Sequence, residues 1–256
     1  MLRCQTVVQV RQPSLLISIG WLTLSRQVLN HDLIARVSRS VRGARIEATP
    51  LPLVPEISLY LLNADYPQHA LSDDEVRWLM DNPAYWCFCW ASGQVLARFV
   101  LDNPQWVAGK TVMDFGCGSG VVAIAAALAG AKRVIACDLD ADALYASQCN
   151  AELNDVELSC IGNADDCTER CDLLIVADVL YDRANLPLLK TFLERADNVL
   201  LADSRIRDFS EPGYVRLGGE RAFTVPDLAE SEEFSHVSLY HGGHTHPANQ
   251  PERVKE

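Results

Sequence analysis

Residues 112–120 constrain the possible folds of this chain more than any other stretch. An apolar strand leads to Asp114, a G-x-G-x-G turn follows, and an apolar helical run comes directly after the turn. Eighteen residues beyond the last glycine, a second predicted strand ends in Asp138. Glycines let a turn adopt positive φ and let a ligand lie against bare backbone. A carboxylate after the second strand can accept hydrogen bonds from both hydroxyls of a ribose. The pattern therefore predicts a β-α-β unit that binds a nucleoside.

The details of the turn favour S-adenosylmethionine (SAM) over a dinucleotide. The dinucleotide pattern G-x-G-x-x-G seats a pyrophosphate, but Val121 stands where its last glycine is required. Asp114 would repel a pyrophosphate, whereas it would attract the ammonium group of a methionine. We therefore predict SAM as the cofactor.

The rest of the chain continues the alternation of strands and helices. This alternation predicts an α/β fold, with a parallel sheet covered by helices on both faces. The predicted strands are 111–115, 134–138, 157–161, 172–177 and 197–202, and the predicted helices are 93–101, 120–130, 141–153 and 184–195. A hairpin of residues 222–225 and 236–240 is expected at the sheet edge.

Two further strand ends supply candidate site residues, because ligands bind over the carboxyl ends of strands in such a sheet. After the third strand, Asp165 is expected to accept from the adenine amino group, with Asp166 as the alternative. After the fourth strand, the segment Asp178 to Tyr181 faces the position of the transferred methyl group. It lacks the Asn/Asp-Pro-Pro-aromatic motif of DNA amine methylation.

The composition of the chain limits the classes of binding partner that are expected. The net charge is −12, distributed as +5 over residues 1–50 and −17 over the remainder, and an acidic body disfavours nucleic acid. No apolar run reaches the roughly 20 residues that span a bilayer, so no membrane partner is expected. The nine cysteines are an odd number and mostly lie in apolar strand or helix patterns, which predicts reduced thiols in a cytoplasmic protein. They lack paired C-x-x-C spacing, which predicts no metal site, and the chain is further expected to be a monomer.

Three regions follow from these patterns. Residues 1–55 are predicted to form a partly helical or disordered extension, residues 56–241 the catalytic domain, and residues 242–256 a flexible tail. The Arg-rich start of the chain also resembles a signal or transit segment. We favour an amphipathic helical extension. The histidines of the tail are interpreted as part of an unstructured terminus and not as metal ligands.

Two segments resemble a known family. The Asp-x-x-Tyr pattern from Asp178 to Tyr181 resembles the signature after the fourth strand in seven-stranded (class I) protein lysine methyltransferases. Residues 85–98, residues 101–104 and the segment Cys149-Asn150-Ala151-Glu152-Leu153-Asn154 are similar to the electron-transfer-flavoprotein β-subunit lysine methyltransferases. The resemblance covers residues 56–205.

The resemblance implies a Rossmann-like, doubly wound, seven-stranded and mostly parallel sheet, and a SAM-dependent enzyme that methylates lysines of a protein, with electron transfer flavoprotein β-subunit as the leading substrate. It also implies roles for single residues. The cofactor site would comprise Trp90, Gly93, Asp114, Gly116, Gly118, Gly120, Asp138 and Asp165, and the lysine channel would comprise Asp178 and Tyr181. Two alternatives stay open, a small-molecule amine N-methyltransferase and a SAM-binding interaction protein without turnover.

Overall fold

A computed structural model describes residues 31–67, 74, 77, 81, 83–206 and 210–243. The strands within these ranges are β1 Ile46–Pro50, β2 Ser58–Leu62, β3 Thr111–Phe115, β4 Arg133–Cys137, β5 Ser159–Ile161, β6 Cys171–Ala177, β7 Ala196–Asp203, β8 Tyr214–Arg221 and β9 His236–Gly243. The longer helices are α1 Ala91–Asp102, α2 Val121–Leu128, α3 Ala141–Leu153 and α4 Leu188–Arg195. The predicted signal-like segment and residues 244–256 of the histidine-containing tail lie outside the described residues. His241, with which the histidine-containing segment begins, is instead buried in β9 and hydrogen-bonds to Asn198, so an unstructured terminus is wrong for this histidine.

Seven of these strands form one sheet in the order β5-β4-β3-β6-β7-β9-β8. The first five strands in this order, β5, β4, β3, β6 and β7, pair in parallel. Strand β9 runs antiparallel to both β7 and β8. The predicted doubly wound, mostly parallel, seven-stranded sheet is thereby confirmed. The chain winds outward from β3 in one direction and from β6 in the other, so the switch point lies between these two strands.

Alternation of side chains along the strands builds two apolar layers. Val112 and Ile175 pack on the face that α1 and α2 cover. Their neighbours Met113 and Leu174 pack on the opposite face with Phe192 of α4. Strands buried on both faces read as continuous apolar runs, which is why β3, β4, β6 and β7 were predictable from the sequence.

The predicted edge hairpin is correct for β9 but wrong for its partner. The partner strand is Tyr214–Arg221 and not residues 222–225. Val225 forms an isolated bridge with Cys89 and is followed by a proline. The actual strand is partly exposed and contains Gly218 and Gly219, and this composition gives a weak strand pattern.

The residues before β2 pack against the sheet domain. Residues 31–37 are helical, and β1 pairs antiparallel with β2. Leu33 and Val37 are buried in one apolar cluster with Cys149 of α3. The predicted boundary at residues 55 and 56 falls within this β1–β2 hairpin, and β9 ends just beyond the predicted start of the tail. The division into extension, domain and tail stays a prediction.

The part of the chain that the structure describes contains neither a membrane-spanning helix nor a metal-binding cluster. None of the described helices combines the length and the apolar character that crossing a bilayer requires. In the same ranges, no three His, Cys, Asp or Glu side chains come together as a metal-binding group. The eight cysteines within these ranges are all free thiols.

Candidate active site

A cleft of about 1040 Å³ opens over the carboxyl ends of β3, β4 and β6, at the switch point of the sheet. Seven of the ten predicted site residues line it: Trp90, Gly116, Gly118, Asp138, Asp165, Asp178 and Tyr181. Gly93, Asp114 and Gly120 are not among its lining residues. The fold therefore brings together side chains that lie far apart in the sequence, although their individual roles stay predictions.

The glycine turn joins β3 to α2 and forms one wall of the cleft. Gly116, Gly118 and Gly120 have φ values of 72°, 52° and 79°, in the left-handed region that glycine adopts easily. The amide of Gly116 donates to the carbonyl oxygen of Cys137 at 2.8 Å, which ties the turn to the end of β4. Gly120 is the N-cap residue of α2. The wall that faces the cleft is therefore mostly bare backbone.

Asp114 lies behind this turn. Its side chain is 2% exposed, and its Oδ2 accepts a hydrogen bond from the amide of Ala123 in the first turn of α2, at 2.9 Å. Burial raises the pKa of this carboxyl to about 7, and the charge of Asp138 adds to the effect. Asp114 thus fixes the start of α2 relative to β3, and its contact with a ligand stays a prediction.

Asp138 directly follows β4 and holds two backbone segments. One carboxylate oxygen accepts from the amide of Gly118 at 3.0 Å, and the other accepts from the amide of Asp140 at 3.0 Å. Burial raises its pKa, while these amides oppose the shift. Since each carboxylate oxygen has a second lone pair, Asp138 keeps acceptor capacity on the side that faces the cleft.

Asp165 lies at the far end of the cleft, in a single turn that follows β5. Asn163 caps this turn through the amide of Asp165, at 2.9 Å. The guanidinium of Arg195 forms an ion pair with Asp165 and donates to the carbonyl oxygen of Ala164. Arg195 was not predicted, because it comes from α4, 30 residues away in the sequence. Asp166, the alternative to Asp165, is not among the lining residues.

Asp178 follows β6 at the opposite end. Its φ is 51°, a left-handed conformation that residues other than glycine rarely adopt and that is often found at functional sites. The carboxylate accepts hydrogen bonds from the amide of Ser92 at 3.1 Å, from the hydroxyl of Ser92 at 2.5 Å and from the hydroxyl of Ser204 at 3.1 Å. Burial raises the pKa of Asp178 to about 6, and the serine donors oppose that shift.

Three aromatic side chains form the wall next to Asp178. The ring of Tyr85 lies 5.8 Å from the ring of Trp90 and 5.8 Å from the ring of Tyr181, measured between centroids. The indole N–H of Trp90 donates to the carbonyl oxygen of Tyr85 at 3.1 Å. Tyr181 is 57% exposed and Tyr85 is 47% exposed. These two rings therefore stand at the mouth of the cleft.

Other residues of the site were missed by the sequence analysis. Arg205 and Phe234 line the cleft, and the Arg205 guanidinium lies 3.8 Å from the centroid of the Phe234 ring. Leu139 also lines the cleft and is 87% exposed. An exposed leucine directly after the proposed ribose-binding Asp138 was a local signal that could have been used. Arg205 and Phe234 come from the irregular segments around β8, which carry no comparable motif.

Comparison of the sequence with known proteins shows which family the chain belongs to. Residues 96–202 match the family model of the ribosomal protein L11 methyltransferase (PrmA). The chain is 35% identical over 198 residues to the electron transfer flavoprotein beta subunit lysine methyltransferase of Danio rerio, an alignment that covers 73% of this chain and 74% of that protein. The corresponding protein of Xenopus laevis is 37% identical over 212 residues, with 78% and 84% covered.

Solved methyltransferase structures give weaker similarities. The ribosomal protein L11 methylase of Lactobacillus delbrueckii subsp. bulgaricus is 23% identical, and the match covers 60% of this chain and 79% of that chain with a TM-score of 0.46. The two relatives from Danio rerio and Xenopus laevis carry the assignment by sequence identity and coverage. The chain belongs to the family of the electron transfer flavoprotein beta subunit lysine methyltransferases, and it is a class I enzyme that uses SAM to methylate lysine side chains of a protein.

Proposed function

We propose that this enzyme methylates lysine side chains of the electron transfer flavoprotein β-subunit. The observation that carries the proposal is the sequence identity to relatives that bear this substrate in their names, over most of both chains. The cleft supports it, because five of the eight predicted cofactor residues and both residues predicted to receive the lysine line the same space.

The cofactor end of the cleft fits SAM. Gly116 and Gly118 would present bare backbone to the methionine part, Asp138 would accept from the ribose hydroxyls, and Asp165 would lie near the adenine. Trp90 would cover the cofactor from the side of α1. When bound, SAM supplies a methyl group on a sulfonium centre, so the protein mainly has to align donor and acceptor.

Asp178 and Tyr181 are proposed to receive the lysine. A free lysine has a pKa of about 10.4, so its amine must lose a proton before it can attack. The aromatic wall of Tyr85, Trp90 and Tyr181 excludes water from the amine and thereby lowers the lysine pKa. A carboxylate raises the lysine pKa, and we therefore assign Asp178 to binding and orienting the amine and not to removing its proton. The Tyr181 hydroxyl would hydrogen-bond the amine.

The mouth of the cleft favours a protein over a small amine as acceptor. Tyr85, Tyr181 and Leu139 are all largely exposed at this mouth. A small-molecule enzyme would be expected to enclose its acceptor beneath a lid. An exposed apolar rim instead offers a surface on which a protein segment can rest while one lysine enters the cleft.

The test is direct methylation with isotopically labelled SAM. The purified enzyme is incubated with recombinant electron transfer flavoprotein β-subunit and, in parallel, with ribosomal protein L11. Intact-mass spectrometry counts the methyl groups, and peptide mapping locates them. We expect labelled lysines in the β-subunit alone, and loss of that label with Asp178→Ala.

Other outcomes would contradict parts of the proposal. Labelled L11 with an unlabelled β-subunit would replace the substrate. In a further incubation with a cell extract, label confined to small molecules would favour the amine N-methyltransferase. SAM binding without any label transfer would favour the interaction protein. The cytoplasmic location and the monomeric state are further proposals.

A further inference from the structure

The carboxylate of Asp178 is held more tightly than binding a lysine alone requires. A carboxylate has about four lone-pair positions. Ser92 and Ser204 together occupy three of them, two on Oδ1 and one on Oδ2. Both lone pairs of Oδ1 are thereby used, and one lone pair of Oδ2 is left for an incoming amine. The direction from which Asp178 can accept is consequently fixed by its neighbours.

The first neighbour, Ser92, belongs to the first turn of α1 and has no exposed surface. Its amide is one of the N-terminal amides that lack a partner within the helix, and the positive end of the helix dipole favours an anion there. Trp90 is the N-cap residue of the same helix. A Cβ added to Gly93 would lie 2.9 Å from Val121, the first residue of α2. One helical turn therefore touches the aromatic wall, the acceptor carboxylate and the helix that follows the glycine turn.

The second neighbour, Ser204, directly follows β7 and is buried. The preceding Asp203 fixes the backbone at this point, because its Oδ1 accepts from the amides of Arg205 and Ile206, both at 2.7 Å. The amide of Asp178 donates to the carbonyl oxygen of Ala202 at 3.1 Å. The hydroxyl of Ser204 thus approaches Asp178 from a segment that is braced on both sides.

We propose that Ser92 and Ser204 are positioning residues that hold the Asp178 carboxylate, ionised and in one orientation, for the substrate lysine. The proposal rests on the role given to Asp178 under the proposed function. Ser92 and Ser204 do not touch the reacting atoms and act through Asp178. No local sequence motif marks them, since they lie 86 and 26 residues from Asp178.

The charges around Asp178 give the direction of a pH effect. Asp203 on β7 raises the pKa of Asp178 together with burial, and the two serines lower it. Cys89, just before α1, is a buried thiol whose own pKa is raised. It therefore stays neutral and adds no negative charge next to Asp178. Removing a serine donor removes one of the hydrogen bonds that lower the pKa of Asp178, whereas burial and Asp203 still raise it. The pKa of Asp178 should then rise, and a larger fraction of the enzyme should carry the protonated, ineffective form near neutral pH.

The experiment compares Ser92→Ala, Ser204→Ala and Ser204→Thr with the wild-type enzyme and with Ser235→Ala, a control that removes another buried hydroxyl. We measure kcat and KM for the protein substrate from pH 5 to 9, the Kd of SAM by calorimetry, and thermal unfolding. Each alanine variant at the site should lower kcat/KM for the protein about tenfold, as expected for one hydrogen bond to a charged group. The low-pH limb should move to higher pH, the Kd of SAM should stay within about twofold, and threonine should restore activity.

The possible results separate this inference from the proposed function. Wild-type activity and an unmoved low-pH limb in both alanine variants, with Asp178→Ala inactive, would overturn the positioning role and leave the proposed function intact. A parallel loss of SAM affinity would also overturn it, because the serines would then support the cleft in general. Methylation of the protein by Asp178→Ala would instead remove the role of Asp178 itself. If Ser92→Ala fails to fold, the Ser204 pair alone decides.

Discussion

At the scale of single residues, three carboxylates at the ends of neighbouring strands differ through the donors that reach them. Asp114 is sealed behind the glycine turn and bonds to an amide of α2. Asp138 bridges two backbone segments and still faces the cleft. Asp178 is held by two serines in a left-handed backbone conformation. The same functional group thus fixes a helix at Asp114, and we propose that it binds the cofactor at Asp138 and receives the substrate at Asp178, because burial and hydrogen-bond partners differ between these positions.

Replacement of Asp138 by alanine should weaken SAM binding selectively. The variant loses the proposed ribose acceptor and also frees the amides of Gly118 and Asp140 that the carboxylate holds. Hydrogen bonds to a charged group contribute roughly 1.5–3 kcal/mol, so the Kd of SAM should rise about tenfold or more. Isothermal titration calorimetry measures this directly.

The matched control for that prediction is Asp172→Ala. It removes an equal charge from Asp172, a residue of β6 whose carboxylate accepts from the amide of Thr111 at the amino-terminal start of β3. Its SAM affinity should stay near that of the wild type. Equal losses of affinity in the two variants would show that net charge, and not the position of Asp138, governs cofactor binding.

Replacement of Asp114 by asparagine should flatten the pH dependence of stability. The pKa of Asp114 in the folded protein is about 7, whereas an unfolded Asp has a pKa of about 3.9. Between these values the folded state binds more protons than the unfolded state, so the free energy of unfolding falls as pH rises. The slope for one group is at most about 1.4 kcal/mol per pH unit.

Urea unfolding of both proteins at pH 5 and pH 7 tests this prediction. Asparagine keeps an oxygen that can accept from the amide of Ala123 but cannot ionise, so it should lose less stability over this interval than the wild type. Asp138, Asp178 and Asp203 shift in the same direction and are present in both proteins. An identical change in the two proteins would show that Asp114 does not titrate in this range.

At the scale of elements, two glycines of the same turn are expected to differ in role, one in the stability of the fold and the other in cofactor binding. A Cβ at Gly120 would lie 2.8 Å from the Oγ and 3.1 Å from the Cα of Ser147 in α3, whereas a Cβ at Gly118 would meet no atom within 4 Å. Both positions have positive φ, which strains alanine by about 1–2 kcal/mol. Gly120→Ala should lose roughly another 1–3 kcal/mol to overpacking.

The two alanine variants should therefore differ in which property they mainly lose, stability or SAM affinity. Gly120→Ala should be the less stable of the two in urea unfolding. Gly118→Ala should lose only about 1–2 kcal/mol of stability to backbone strain and should also lose SAM affinity, because Gly118 lines the cleft. Equal stability of the two variants would contradict the close approach of α3 to the turn.

The elements also show what a sequence can predict. β3 and β4 were predictable, because each is an apolar run next to an aspartate, Asp114 or Asp138, and the same local pattern gave the prediction of cofactor binding at these two residues. β8 has paired glycines and exposed side chains, and for that reason the partner strand of β9 was predicted at residues 222–225 instead. The contacts of Ser92 and Arg195 depend on packing between distant helices and strands, which leaves no periodic signal in the chain.

At the scale of the whole molecule, α3 connects the N-terminal hairpin with the glycine turn. The side chain of Asn150 is fully buried. Its Oδ1 accepts from the amide of Tyr60 in β2 at 2.7 Å, and its Nδ2 donates to the carbonyl oxygen of Ser119 in the glycine turn at 2.8 Å. Asn154, one turn later, bonds to both backbone groups of Ser58 but not to the turn. The contacts of these two asparagines give a structural role to residues 149–154, one of the segments that resemble the family.

Asn150→Ala should consequently damage both stability and cofactor binding. It removes a partner from two backbone groups, and each such loss costs about 1–3 kcal/mol when the group is buried. The free energy of unfolding should fall by roughly 2–5 kcal/mol, and the Kd of SAM should rise because the carbonyl of Ser119 no longer anchors the turn. Asn154→Ala should loosen the hairpin alone and keep the SAM affinity of the wild type. If the two variants weaken SAM binding equally, the hairpin influences the cleft through its general packing. If Asn150→Ala alone does so, this one amide transmits the docking of the N-terminal hairpin to the cofactor site.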